Sequence, residues 1–255
     1  MTEIAGHNGS RRIYFASDIH LGGGDAAFAR ANERRFVAWL ERAAADAEAI
    51  FLLGDIFDFW FEYRRVVPKG CVRTLGKLAE LTDRGIRIGF FTGNHDMWVR
   101  DYFRHECGME LYTAPQLLEL KGQRIYLAHG DHMGIAGEPR LLNRIFRSRA
   151  LRWLFSWSVH PDWAMCFGRW WSGKSRKAHA GPEGFDASLT EPLIDFARRY
   201  AGTHAVDHFV FGHMHFPRDY RDGALHVVDL GGWEKCPSYA VLDDRGNLTL
   251  ERLEQ

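Results

Sequence analysis

Five short blocks of this 255-residue sequence concentrate side chains that bind metals or move protons. They hold Asp18 and His20 in SDIHLG, Asp55 and Asp58 in GDIFDFW, Asn94, His95 and Asp96 in GNHD, His129 and Asp131 in AHGD, and His213 and His215 in GHMH. Carboxylate, imidazole and amide oxygen together suit Mn, Fe or Zn, and the absence of thiolate from every block argues against a closed structural zinc site. One ion needs fewer ligands than the blocks offer. Two ions about 3.5–4 Å apart would use the whole set and clamp a phosphoryl group for in-line attack. Side chains two residues apart on an extended segment point the same way, so Asp18 with His20, and His213 with His215, can each aim at one centre.

Each block closes a run of apolar residues. IYFAS leads to Asp18, AIFLLG to Asp55 and IRIGFFTG to Asn94, while RIYLAHG carries His129 and HFVFGH carries His213. Runs of this length, rich in Ile, Phe, Val and Leu, read as strands buried on both faces. Between the first two, AFARANERRFVAWLERAAADAE sets Phe28, Phe36, Trp39 and Leu40 on one helical face and Arg and Glu on the other. VRTLGKLAELTDRG repeats the pattern, with Gly85 placed as a helix stop. Strand alternating with helix predicts an α/β layered fold whose ligands gather at the carboxyl ends of the strands, where the polar blocks fall. Beyond residue 217, ALHVVDLGGW, SYAVLDD and NLTLERL read as strands with no helix between them, which predicts a second, more antiparallel sheet.

Lys plus Arg and Asp plus Glu total 33 each, so the formal net charge is zero and nucleic acid is not an expected partner. Four cysteines without CxxC spacing fit a reducing compartment. The first predicted strand begins near Arg12, leaving no room for an apolar signal segment, and no apolar run approaches the ~20 residues of a membrane span. A cytoplasmic protein is expected, long enough for one large domain with an insertion.

The ordered set DxH, GDxxD, GNHD, a lone His and GHxH, running from Asp18 to His215, resembles the calcineurin-like metallophosphoesterase superfamily. The resemblance implies a four-layer α-β-β-α sandwich, two sheets face to face with helices outside. It also implies two divalent metal ions, Mn2+ foremost, with Fe or Zn as alternatives. Asp18, His20, Asp55 and His215 would hold one, and Asp55, Asn94, His129 and His213 the other, with Asp55 bridging. His95 is then left to face the substrate as a catalytic imidazole, and Asp96 would hold its second ring nitrogen and set its tautomer. Taken alone, an Asn-His-Asp turn reads as a capping loop; four further blocks at strand ends give it partners. Asp58 reads as a residue that orients a ligating histidine. His132 lies close to His129, and only one of the two is expected to ligate. His7, His105, His204, His208 and His226 carry no partner signature and read as surface or capping residues.

Residues 134–184 differ in kind from the core segments 10–133 and 185–255. RLLNRIFRSRALRWLFSWSVHPDWAMCFGRWWSGKSRKAH spaces large apolar residues helically against Arg140, Arg144, Arg147, Arg149 and Arg152. The plain reading is a helical insertion with its apolar face on the core and its arginines solvated. Its place between the His129 and His213 blocks predicts a helical lid over the metals, and a basic amphipathic surface with Trp and Leu also suits a bilayer interface or an acyl chain. Trp153 and Phe155 become candidates to shelter an acyl chain, and Lys174, Arg176 and Lys177 to hold a diphosphate. This insertion, with GDIFDFWFEYRRVVPKG and GNHDMW, resembles the UDP-2,3-diacylglucosamine diphosphatase family and its Bacteroidetes-type members in particular. The resemblance implies a nucleotide-linked lipid substrate cleaved to UMP and 2,3-diacylglucosamine 1-phosphate, as in lipid A biosynthesis, by a protein in peripheral contact with the inner membrane of a Gram-negative bacterium. His95 stands where better-known members carry Arg, and KSRKAHAGPEGFDASL where they carry NxxKxxxIMDV. Two alternatives compete. A soluble phosphodiesterase or phosphomonoesterase has no need of an aromatic, basic lid, and a non-catalytic metal-holding module that docks on a membrane has no need of His95.

Overall fold

Alternation with a period of two decides how the apolar strands pack. In the computed structural model of the chain, which describes residues 11–131, 133, 148–179 and 190–253, β1 (Arg12–Ala16) and β2 (Ala47–Leu53) are buried on both faces. Ile13, Phe15, Phe51 and Leu53 enter one core, while Tyr14, Ala16, Ile50 and Leu52 enter another. β3 (Arg87–Phe91) and β4 (Glu110–Tyr112) extend the sheet in parallel. Its parallel crossovers are α1 (Ala26–Ala43), α2 (Val72–Asp83) and α3 (Tyr102–Cys107), which cover the outer face with Phe36, Trp39, Leu78 and Phe103.

The second sheet begins with the hairpin of β5 (Gln116–Leu120) and β6 (Gln123–Leu127). Helices α4 (Arg149–Ser158) and α5 (Pro161–His179) follow, then α6 (Glu191–Ala201). β7 (His208–Phe211), β8 (Pro217–Asp222) and β9 (Leu225–Leu230) complete the sheet in the order β5-β6-β7-β9-β8. Its inner face sets Ile125, Leu127, Val210 and Val228 against the first sheet, and its outer face packs Phe209 and Phe211 on Leu193 and Ile194 of α6. The four-layer α-β-β-α arrangement is thus the observed one. Each fully buried large side chain between the layers contributes about 1.5–3 kcal/mol relative to leaving it in water.

The three strands expected to form an antiparallel second sheet instead divide between the two. β9 lies parallel to β7 in the second sheet, whereas β10 (Ser238–Leu242) pairs antiparallel with β1 and β11 (Leu248–Arg252) with β10, so the first sheet runs β11-β10-β1-β2-β3-β4. The reason is burial: Ala240 and Leu242 face the core between the sheets and Val241 the opposite one, so β10 needs a place beside the central β1. The predicted ends of the insertion, residues 134 and 184, lie outside the described residues, as does His132. Among the described residues no helix is long and apolar enough to cross a membrane. All four cysteines are free thiols.

Two buried carboxylates cap helices that do not cap themselves. α2 starts at Cys71, whose φ of 53° brings no side-chain hydrogen bond to the helix. Glu33, reaching across from α1, accepts from Arg73 N at 3.0 Å and Thr74 N at 3.4 Å. Glu62 does the same before α3, accepting from Arg100 N at 2.7 Å and Asp101 N at 2.9 Å. Replacing Glu33 by Ala leaves these amides without their acceptor, so Glu33→Ala is expected to cost about 1–3 kcal/mol, with Glu33→Gln costing less. Urea-unfolding midpoints check this, and equal midpoints for Ala and wild type would show that the cap carries no stability.

Candidate metal centre

The five polar blocks meet where strand ends of the two sheets adjoin. The loop after β1 runs beside the loop after β2: Asp18 N donates to Gly54 O at 3.1 Å, His20 N to Asp55 O at 3.0 Å and Leu21 N to Ile56 O at 2.9 Å. The second sheet is tied in by His213 N, which donates to Asp18 Oδ2 at 2.9 Å. Of the seven non-glycine residues with positive φ among the described residues, five are candidate ligands: Asp18, His20, Asp55, His213 and His215, at 50–75°. Left-handed turns, not the extended geometry expected from the spacing, therefore aim the Asp18–His20 and His213–His215 pairs. Each such residue costs on the order of 1–3 kcal/mol and persists only where its surroundings over-determine it. Two glycines make the approach possible. A Cβ on Gly54, at φ 83°, would lie 2.7 Å from His129 Nδ1, and one on Gly93 would lie 2.2 Å from Asp55 Oδ1.

Two groups of ligand atoms share Asp55, and a third, of His20, Asp58 and His95, adjoins them through His20. Asp18, His20, Asp55 and His215 each present one atom within 4.8 Å of the others, and Asp55, His129 and His213 do likewise. Asn94 Oδ1 joins the second group, 3.2 Å from His129 Nε2. The structure thus brings together all seven candidate ligands, with Asp55 common to both groups. Proton positions test whether cations fit. His129 Nδ1 lies 2.8 Å from Leu53 O, so it must be the N–H that donates, and Nε2 faces Asn94 Oδ1 at 3.2 Å and Asp55 Oδ2 at 3.4 Å. Two oxygens converging on one ring nitrogen call for positive charge there, a proton or a cation. In the other group His20 Nε2 and His215 Nε2 face each other at 3.1 Å, with Asp18 Oδ1 3.2 Å from the latter. The nitrogen and oxygen donors fit a pair of divalent ions.

The electrostatics agree. Burial opposes ionisation of Asp18, but the hydrogen bond and charge of His215 reverse this and hold its carboxyl at about 2. Burial of Asp55 is likewise outweighed, by His129 and His95, so it lies well below the ordinary range. Burial, with His95 and His215 nearby, pushes His20 well below its usual value and keeps it neutral, the form that ligates. His129 goes the other way: against the burial penalty, the Asp55 carboxylate draws it well above its usual value.

His95 sits at the edge of both groups, its Nε2 3.8 Å from Asp55 Oδ2 and its ring edge-on to His20. The expected clasp of this ring by Asp96 is absent. His95 Nδ1 donates instead to Asp58 O at 2.8 Å, and that carbonyl fixes the tautomer. Asp96, wholly buried, accepts from Gly93 N at 2.7 Å, Ile56 N at 2.9 Å and Phe57 N at 3.5 Å, and so locks together the loops bearing Asn94 and Asp55. Three backbone amides offer a carboxylate more hydrogen bonds than one imidazole could. Burial, and then the charge of Asp55, raise its carboxyl to about 7. Asp58 Oδ1 lies 3.7 Å from His20 Nδ1.

Of the lid candidates, Phe155 packs on Phe61 at 5.0 Å and Trp98 at 6.3 Å, and lines an apolar cavity of about 210 Å³ with Leu151, Leu154 and Phe167. Trp153 lies outside that cavity, 67% exposed, because helix residues two apart do not share a face. Lys174, Arg176 and Lys177 belong to α5, but their side chains lie outside the described residues. No residue pattern marks the Trp233 amide, which donates to Asp18 O at 3.1 Å. Nor is His226 a surface residue: it is buried, donating to Asp219 Oδ1 at 2.9 Å with its other nitrogen 2.8 Å from His208, contacts between strands that no local pattern marks.

These roles separate by mutation. His95→Ala is expected to lower kcat by roughly 10²-fold or more with both metals retained. Asp96→Ala strands three amides and frees two loops, so it should lose metal as well as rate. Elemental analysis beside kinetics on bis-p-nitrophenyl phosphate checks both, and full metal content in an inactive Asp96→Ala would return Asp96 to a role in proton chemistry.

Comparison with known proteins follows the same lines. The family model described as calcineurin-like phosphoesterase matches residues 11–217. A UDP-2,3-diacylglucosamine hydrolase of Porphyromonas gingivalis is 40% identical, over 95% of this chain and 98% of its own. Proteins of the same name from Edwardsiella ictaluri and Aeromonas salmonicida are 31% and 30% identical, over 91% and 86% of this chain and 88% and 80% of theirs. Among solved structures, that of a novel archaeal phosphodiesterase is similar at 12% identity and a TM-score of 0.47, over 95% of this chain and 99% of its own. With the family model spanning every block from Asp18 to His215, the chain belongs to the calcineurin-like phosphoesterase family.

Proposed function

We propose that this protein hydrolyses the diphosphate of UDP-2,3-diacylglucosamine to UMP and 2,3-diacylglucosamine 1-phosphate, with residues 134–184 as a lid and Mn2+ as the preferred ion. The observation that carries this reading is an apolar cavity built on the same loops as the phosphoryl site. Phe61 and Trp98 line that cavity, and each lies within a few residues of a group at the centre, Asp58 and His95. The name shared by relatives that align along nearly the whole chain supports the same substrate. All-nitrogen-and-oxygen donors without thiolate favour Mn2+.

Two divalent ions supply, when bound, Lewis-acid withdrawal of charge from the phosphoryl group. The chain's own residues do the rest. Asp55 and Asp18 stay ionised and His20 stays neutral across the neutral range, whereas His129 and His215, drawn upward by the carboxylates beside them, give up a proton when they ligate. His95 keeps its Nδ1 proton on Asp58 O, and so Nε2 is the ring nitrogen left to exchange a proton with the oxygens where charge builds. Phe61, Trp98 and Phe155 take acyl chain. Trp157 and Trp163, 78% and 75% exposed, lie outside the cavity and suit the interface of an anionic bilayer, keeping the protein peripheral on the cytoplasmic face of the inner membrane.

Each buried methylene contributes about 0.8 kcal/mol, so shortening the acyl chains by several carbons should raise KM by orders of magnitude. Phe155→Ser should raise KM for the lipid far more than KM for bis-p-nitrophenyl phosphate. Trp157→Ser with Trp163→Ser should weaken sedimentation with anionic vesicles. Equal kcat/KM on acylated and deacylated substrate, with metal-loaded enzyme, would remove the lipid from this reading, and vesicle binding unchanged by the tryptophan substitutions would remove the bilayer contact.

A further inference from the structure

The ring of Phe59 occupies the space where a side chain on Gly168 of α5 would begin: a Cβ there would lie 2.3 Å from two of its carbons. No other residue type at 168 lets the helix come so close. Met165, one turn earlier on α5, shares the lining of a small cleft with Asp58 and Phe59. The neighbours of Phe59 on both sides hold His95. Asp58 O accepts from His95 Nδ1 at 2.8 Å, and Trp60 N donates to His95 O at 3.1 Å. α4 seats on the next residues of the same strip, Phe155 against Phe61 and Trp98, while Trp98 meets the Phe59 ring edge-on at 5.6 Å. Trp60 and Phe61 are each 1% exposed, so the strip has no slack with which to absorb a shift of Phe59.

We propose that Phe59 is a positioning residue through which the seating of α5 at Gly168 aims the His95 ring, so that a seated lid and a correctly placed His95 are one state. The inference rests on the reading of His95 as the imidazole that faces the reacting phosphoryl group. A displacement of about 1 Å at such a group costs up to 10²-fold in rate, and the Asp58 carbonyl has one covalent neighbour that touches the lid, Phe59. A residue that only filled space would change stability, or KM for a lipid, without acting through His95.

A double-mutant cycle separates these, read as kcat and KM on bis-p-nitrophenyl phosphate with full-length, metal-loaded enzyme. Phe59→Ala, and independently Gly168→Ala, are expected to lower kcat tenfold or more with KM within about twofold and metal content unchanged. In the His95→Ala background each is expected to lower kcat no further. Phe59→Leu, which keeps an apolar body against Gly168, is expected to retain most of the rate. An equal loss in both backgrounds, or no loss in wild type from either substitution, overturns the proposal. A His95→Ala enzyme with undiminished kcat overturns it by a different arm, because then the reading of His95 itself has failed.

Discussion

Around Asp55 the fold gathers more buried acceptors than it has protons to share. The carboxylates of Asp18 and Asp55, the amide oxygen of Asn94 and the Nε2 atoms of His20, His129 and His215 crowd into two overlapping groups, most of them buried. Such a cluster is destabilising unless positive charge joins it, and the upward pull on His129 is the local sign of that demand. Left-handed backbone at five of the ligand residues adds strain to the same place. A chain keeps such an arrangement only where the surrounding structure holds it firmly and a cation completes it.

The two sheets provide the hold. Parallel strands β1, β2 and β3 end side by side, so their following loops can hydrogen-bond to one another, and β6 and β7 bring His129 and His213 to the same line from the opposite sheet. The apolar contact between the sheets, Phe15, Phe51 and Leu53 against Leu127, Val210 and Val228, fixes the separation across which Asp18 Oδ2 meets the His213 amide. Asp96 and Glu62 act as buried clamps between loops rather than as reagents. The site's loops are therefore tied to one another by the chain's own hydrogen bonds, an arrangement suited to catalysis by preorganised charge.

Much of this was legible in the sequence because it is periodic or chemical. The two-residue period of IYFA and IFLL marks strands buried on both faces, the helical period of RRFVAWL marks α1, and the five polar blocks contain every residue of the ligand-atom groups. What was hidden depends on contacts between distant segments. The membership of β10 in the first sheet follows from its neighbour β1, more than 200 residues earlier in sequence. The contacts of Asp96 are hidden because its partners are backbone amides, which have no letter in the sequence. The sequence pairs Trp153 with Phe155 although a helix turns them to different faces, and the packing of Gly168 against the Phe59 ring has no local sign in the sequence.

Anomalous diffraction from crystals grown with Mn2+ tests the central claim most directly. Two peaks per chain are predicted, about 3.5–4 Å apart. Asp55 should contact both, with Asp18, His20 and His215 around one and Asn94, His129 and His213 around the other. A single peak at full loading, or two peaks that Asp55 does not bridge, would contradict it.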